Sequence, residues 1–308
     1  MKVLVTGATG QLGFDVIRRL LDSNYEVIGT SNSEIFSSIL SDEKINQIPY
    51  HSLDITDEEA VHKLIFDIKP DAIIHCAAWT AVDDAEEHEK AVNEVNVLGT
   101  KYLAEVAKAI DAKFVYVSTD YVFDGTGETP WSADDENLSP VSVYGESKLA
   151  GEQIVSSILE KYFIVRIAWV FGINGGNFVK TMLRVGENND QVTVVNDQIG
   201  TPTYTFDLAR LLVDMINTDK YGYYHATNEG GYISWFDFTK EIYRQAKLST
   251  KVHPVTTEEY GETKANRPLN SRLDKSKLVD NGFEPLPDWR DALSRFLGEL
   301  DELEGESV

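Results

Sequence analysis

The stretch MKVLVTGATGQLG, residues 1–13, decides the fold. Lys2–Thr6 is a short β-branched, apolar run that reads as a strand, and it flows directly into Gly7-Ala8-Thr9-Gly10-Gln11-Leu12-Gly13. From Gln11 to Ser23 the apolar residues Leu12, Val16, Ile17, Leu20 and Leu21 recur at helical spacing, so the glycines sit on a strand-to-helix turn. Glycines spaced in this way let the backbone turn tightly, approach a pyrophosphate and pack the helix close to the strand. The helix N-terminus adds free amides and positive potential for the phosphates. A glycine triplet alone is a weak signal; a strand before it and a helix after it are the context that makes it a dinucleotide loop.

Outward from this loop, strand and helix patterns alternate. Glu26–Gly29, Tyr50–Leu53, Asp71–His75, Lys113–Ser118 and Phe163–Ala168 read as strands. Asp57–Ile68, with Thr56 as N-cap, Glu86–Ala109 and Tyr144–Glu160 read as helices. Alternation with fully apolar strands predicts an α/β fold, a doubly wound parallel sheet of the Rossmann type covered by helices on both faces. Beyond Val170 the pattern loosens, with Gly and Asn clustered in Gly172–Asn177 and Pro at 202, 254, 268, 285 and 287. The expected organisation is therefore a dinucleotide-binding domain over 1–170, joined by part of 190–230, and a smaller C-terminal substrate-binding lobe over 171–308. The acidic end, Glu299–Glu306, is expected to fray.

The 308 residues carry 28 Lys and Arg against 51 Asp and Glu, a formal net charge of -23. Such a field repels nucleic acid and anionic membranes, so neither is an expected partner. It would also repel an anionic substrate at long range, which local Arg, Lys or helix N-termini would have to overcome. The one cysteine, Cys76, excludes an internal disulfide and a cysteine-only metal site. With no signal-peptide pattern and no apolar run of about 18 residues, a cytoplasmic protein is expected. The six histidines are scattered, and no ligand spacing supports a catalytic metal.

Two further stretches carry chemistry. Tyr144-Gly145-Glu146-Ser147-Lys148 places a phenol and an ammonium four residues apart on one helix face. The phenol can protonate the alkoxide that hydride delivery to a ketone creates, and the ammonium can lower the phenol's pKa and hold a nicotinamide ribose. By itself this spacing is common by chance. Ser118-Thr119-Asp120 closes the fifth strand and sets hydroxyls at the carboxyl end of the sheet, where open α/β folds bind ligands. Cys76-Ala77-Ala78, ending the fourth strand, is small enough for a cofactor to lie flat, or simply packs closely. After the second strand, the Thr30–Ser33 loop including Ser31 lacks the acidic residue that usually holds a ribose 2′-hydroxyl. It also lacks an arginine unless Arg18 or Arg19 reaches over. This favours NADPH, with NADH possible. Asp54 and Ile55 could edge the adenine, or Asp54 could serve as a turn residue.

Taken together, TGATGQLG, HCAAWTAVDDAE, STDYVFDG, NDQIGTPT, YGESKLAGE, RIAWVFG and RPLNSRL resemble the extended short-chain dehydrogenase/reductase superfamily and, within it, the dTDP-4-dehydrorhamnose reductase family, over residues 1 to about 300. The resemblance implies an oxidoreductase that reduces the C4 keto group of a dTDP-linked 6-deoxy sugar. It implies Thr119, Tyr144 and Lys148 as the catalytic set and Gly7, Gly10, Gln11, Leu12 and Gly13 as the pyrophosphate loop. Asp54, Ala77 and Ala78 would line the rest of the cofactor cleft. Thr80, Val82 and Trp169 would meet the sugar, and Asn266, Arg267 and Arg272 the diphosphate or nucleotide end. A homodimer is implied by analogy. The family's use of Mg²⁺ through acidic residues at a dimer contact is in doubt, because Phe206 stands where a carboxylate is expected beside Asp15 and Glu299. Other 4-keto-sugar reductases, an epimerase, and a regulatory subunit of the methionine adenosyltransferase type stay open as alternatives.

Overall fold

The computed structural model describes residues 1–306 apart from 24, 37–38, 41–42 and 262. Six strands follow the expected alternation: β1 (Lys2–Thr6), β2 (Glu26–Ser31), β3 (Tyr50–Ser52), β4 (Ala72–His75), β5 (Lys113–Thr119) and β6 (Tyr162–Ile167). A seventh, Gly222–His225, returns to the same sheet and pairs with β6. All pairings in the sheet are parallel. The order, from one edge, is Gly222–His225, β6, β5, β4, β1, β2, β3. The chain therefore winds outward in both directions from β1 and β4, and the crevice beyond their carboxyl ends is the topological switch point at which such sheets bind ligands.

The helix α1 (Gln11–Asp22) buries Leu12, Val16, Ile17 and Leu20 against one face of the sheet. Beside it the Thr205–Ile216 helix adds Leu208, Leu211, Leu212 and Met215. Each such side chain, fully buried, is worth about 1.5–3 kcal/mol. The opposite face is covered by the helices Glu58–Ile68, Thr100–Ala109 and Val143–Ile158. The first of these is capped by Asp57, whose side chain accepts from Ala60 N at 3.0 Å, rather than by Thr56. The hydroxyl of Thr56 is instead bonded to Asp54.

The stretch expected as one helix, Glu86–Ala109, is built as Glu89–Asn93, a π-helical turn Glu94–Gly99 and Thr100–Ala109. The wide turn carries Asn96, which is buried and holds Trp79 N at 2.8 Å, Trp79 O at 3.2 Å and Ser147 Oγ at 2.9 Å. One side chain thus ties the loop after β4 to the helix of Tyr144, and such wide turns recur at functional sites.

Short strand pairs build the remaining layer: Val170–Phe171 with Thr203–Tyr204, Ile199–Gly200 with Ile233–Ser234, and Gln191–Val195 with Lys251–Val255. Its core is aromatic, with Phe171, Tyr204, Phe238, Trp289 and Phe296 buried together. The last helix runs from Trp289 to Glu306, so the acidic end continues as helix where fraying was expected.

Candidate active site

A cleft of about 620 Å³ opens at the switch point, lined from Gly7 at one end to Trp169 at the other. Gly7 has a φ of +65°, and a Cβ there would stand 2.7 Å from Ala77 N. A Cβ on Gly13 would stand 2.2 Å from Gly7 O. Both approaches require glycine. Gly10 begins α1 with no side-chain cap, so the first-turn amides of Gln11, Leu12 and Gly13 have no intrahelical partner where they line the cleft. A second loop closes over them. Asn174 Nδ2 donates to Thr9 O at 2.8 Å and Asn177 Nδ2 to Gln11 Oε1 at 3.0 Å.

Beyond the ends of β2 and β3, Thr30, Ser31, Asn32, Asp54 and Ile55 line the cleft. The hydroxyl of Ser31 is bonded to Thr9 Oγ1 at 3.1 Å and Tyr50 Oη at 2.7 Å. Asp54 lines the cleft and accepts from Thr56 N at 2.9 Å in a turn. Neither Arg18 nor Arg19 reaches this end. Both guanidinium groups stack on Phe206, 4.7 and 4.8 Å from its centroid. Among the described residues Lys148 is the one basic side chain lining the cleft.

The middle of the cleft is walled by Cys76, Ala77 and Ala78. Behind them His75, fully buried, bonds Thr6 Oγ1 at 2.8 Å and Thr100 Oγ1 at 3.1 Å. Burial first, and the charge of Lys148 second, push its imidazole down to about 3, so it is a neutral structural peg. Burial pushes the Cys76 thiol up to about 12, which removes it as a nucleophile.

Thr119, Tyr144 and Lys148 meet opposite this wall and all line the cleft. Ser142 caps the Val143–Ile158 helix by accepting from Gly145 N at 3.1 Å, and this aims its first turn at β5. Lys148 Nζ lies 4.1 Å from the centroid of Tyr116. Burial draws its ammonium down to about 7, opposed by the charge of Glu152 one turn along. Burial pushes Tyr144 above its ordinary value, with the Thr119 hydroxyl pulling the other way. Thr119 Oγ1 accepts from Tyr121 N at 3.2 Å and donates to Asp120 Oδ1 at 3.1 Å.

Thr80, Val82 and Trp169 also line the cleft. Trp169 has a φ of +52°, a strained conformation for a bulky residue, and its ring stacks on Trp235 at 3.8 Å. Trp169 also faces an adjoining cavity of about 480 Å³ lined by Asp83, Tyr121, Gln198, Trp235 and Arg267. Arg267 is held there by Asp83, with contacts of 3.1 and 2.5 Å. Asn266 is exposed and Arg272 bonds Asn270 Oδ1 at 2.9 Å; neither lines either cavity. The sequence reading missed Asp83, Tyr121, Asn177 and Trp235. Asp83 lies within the TAVDDAE stretch and could have been found as the acidic partner of Arg267, whereas Trp235 lies in no motif.

Asp15, Glu299 and Phe206 do not form a cation site. Asp15 is fully buried and accepts from Arg18 at 2.8 Å and Thr205 at 2.5 Å. Glu299 pairs with Arg18 at 2.7 Å and accepts from Tyr204 at 2.8 Å. The guanidinium of Arg18 stands where the carboxylates converge, so these residues do not fit a divalent ion. His62, with Glu58 and Glu105, forms a cluster whose ligand atoms lie within 4.8 Å of one another, outside the cleft lining.

The sequence pattern of the family described as RmlD substrate binding domain matches residues 1–302. The chain is 40% identical over 306 residues to a dTDP-4-dehydrorhamnose reductase of Aggregatibacter actinomycetemcomitans, covering 95% of this chain and 97% of that one. It is 37% identical over 298 residues to the spore coat polysaccharide biosynthesis protein SpsK of Bacillus subtilis, covering 97% of each. Among solved structures, a dTDP-4-dehydrorhamnose reductase of Bacillus anthracis in complex with NADP superposes with a TM-score of 0.87 at 39% identity, covering 97% of this chain and all of that one.

Proposed function

The chain belongs to the family of the RmlD substrate binding domain, and from that premise we propose that it reduces the C4 keto group of dTDP-4-dehydrorhamnose to give dTDP-L-rhamnose, using NADPH. The observation that carries this reading is the meeting of Thr119, Tyr144 and Lys148 at the centre of one cleft. The glycine loop lines the same cleft, and so does Trp169, whose ring stacks on Trp235 in the adjoining cavity.

The cleft fits a dinucleotide: the α1 amides suit the pyrophosphate, Ser31 and Asn32 the adenosine ribose, and the Ala77–Ala78 wall the flat ring. NADPH, when bound, supplies the hydride to C4. Tyr144 gives its proton to the developing oxyanion, the Thr119 hydroxyl stabilises that oxygen, and Lys148 holds the ribose and offsets the charge left on Tyr144. The uncharged Ser31 end accepts a 2′-phosphate without a salt bridge, so NADH is a slower second cofactor. Arg267, kept in place by Asp83, binds the diphosphate end, because its fork can make parallel charge-assisted bonds. The reading includes a cytoplasmic location and a homodimer; sedimentation would check the latter.

Loss of NADPH absorbance on addition of dTDP-4-keto-6-deoxyglucose, with and without the preceding 3,5-epimerase, tests the assignment. Oxidation that requires the epimerase supports it, and oxidation without it makes the chain a different deoxysugar reductase. Tyr144→Phe is expected to lose about 10²–10⁴-fold in turnover while still binding cofactor. Near-normal turnover would remove Tyr144 from the chemistry.

A further inference from the structure

Asp120 is a buried carboxyl that the reduction as described does not use. It follows Thr119 at the end of β5, is 2% exposed, and lines the cleft. Its Oδ1 accepts from Thr119 Oγ1 at 3.1 Å, while its Oδ2 is buried and has no hydrogen-bond partner. No cation among the described residues neutralises it. The groups facing it are the phenols of Tyr121 and Tyr144 and the hydroxyl of Ser271. This arrangement conflicts with the task of Thr119. A hydroxyl has one hydrogen: donated to Asp120 Oδ1, it is not available to the neighbouring Tyr144 phenol or to a substrate carbonyl.

We infer that Asp120 is a positioning residue that works as a neutral acid: protonated, it donates to Thr119 Oγ1 and so turns the Thr119 hydrogen toward Tyr144 and the substrate oxygen. This rests on the catalytic set proposed above. The proton would sit on Oδ1, the oxygen that already faces Thr119 Oγ1 at 3.1 Å, while Oδ2, buried without a hydrogen-bond partner, leaves the ionised form poorly compensated. Burial already pushes this carboxyl up to about 6, and a sugar closing the cleft would exclude further water and favour the neutral form more strongly. Tyr121 N holds the other side of the Thr119 oxygen at 3.2 Å, so rotation of its hydrogen is the one free motion of the group.

The test is the pH dependence of kcat for wild type, Asp120→Asn and Asp120→Ala, with KM and cofactor Kd measured beside it. The wild-type rate should fall as pH rises through the Asp120 titration. A second fall belongs to Lys148, whose ammonium titrates near 7. Asp120→Asn keeps a permanent donor to Thr119, so it should lose the first fall, keep the second, and restore most of what Asp120→Ala loses. Asp120→Ala should lower kcat about 10-fold below the Asp120 titration, with the deficit shrinking above it as wild type loses its donor, and KM should change by less than about 3-fold, the scale of one lost hydrogen bond. If Asp120→Asn is as slow as Asp120→Ala at low pH, or shows both falls like wild type, the inference is overturned. If Tyr144→Phe turns over normally in the same assay, the catalytic reading fails instead, and the two failures are separable.

Discussion

Glu152→Gln would probe the helix that carries the catalytic tyrosine and lysine. Glu152 receives Arg166 through two parallel bonds of 2.8 and 2.7 Å, with both side chains 1% exposed. At such distances and an effective dielectric of about 20, the attraction is on the order of 6 kcal/mol. Desolvation offsets much of that in the intact pair, but the substitution removes only the attraction. Arg166 would be left charged in the core, where its Nη1 already has no partner and its other neighbours are the rings of Phe123 and Tyr223. The expected loss is about 3–5 kcal/mol, the range for breaking a buried pair from one side. For a chain of this length that lowers Tm by roughly 5–8 °C. Urea unfolding of the purified variant reads it, with the double variant Glu152→Leu/Arg166→Met as control. Removing both charges should recover most of the loss. A loss under about 1 kcal/mol, or a double variant no better than the single, would refute the claim that the unpaired arginine carries the cost.

Gly13→Ala should abolish dinucleotide binding in a fluorescence titration, because its Cβ would stand 2.2 Å from Gly7 O and force the loop open. Trp169→Ala should raise the KM for the sugar nucleotide about 10-fold with a smaller change in kcat, and should remove most of the tryptophan quenching that substrate produces at the Trp169–Trp235 stack. The stability of the chain should also carry the signature of Asp120. Its carboxyl lies at about 6 when folded against an ordinary 3.8, so the folded state keeps a proton that the unfolded chain has released. The stability it contributes is complete below about pH 4 and is lost as pH rises through about 6. Asp120→Asn should therefore be more stable than wild type by about 1–3 kcal/mol at neutral pH and not at pH 4, as thermal melts at the two pH values would show.

The parallel sheet was legible because β1, β4, β5 and β6 are buried on both faces and so read as apolar runs with no competing pattern. The glycine loop and the Tyr144–Lys148 pair were legible because their chemistry demands fixed spacing along one local element. What lay beyond reach was contact between distant segments. Nothing local marks Asp83 as the partner of Arg267, or Trp235 as the neighbour of Trp169, since the members of each pair lie far apart along the chain, 184 positions in the first. Arg18 and Arg19 failed as cofactor ligands for the same reason. Their place beside Phe206 depends on the packing of α1 against the Thr205–Ile216 helix, which neither segment announces. The rise of Tyr144 above its ordinary value likewise reflects burial in the assembled cleft rather than its spacing from Lys148.

The strand Gly222–His225 and the helix before it have a consequence for how this gene can be divided. The strand joins the seven-stranded sheet and the helix packs on it, yet they are encoded after the chain has already built Val170–Phe171, Gln191–Val195 and Thr203–Tyr204 elsewhere. A fragment ending near residue 170 would leave the open edge of β6 unpaired and would strip Leu208, Leu211, Leu212, Met215 and Tyr224 from the core around α1. The first 170 residues are thus not a cassette that recombination could lift out and join to a new partner in one cut. Any exchange of sugar specificity between relatives has to proceed by replacing inserted segments around a retained frame.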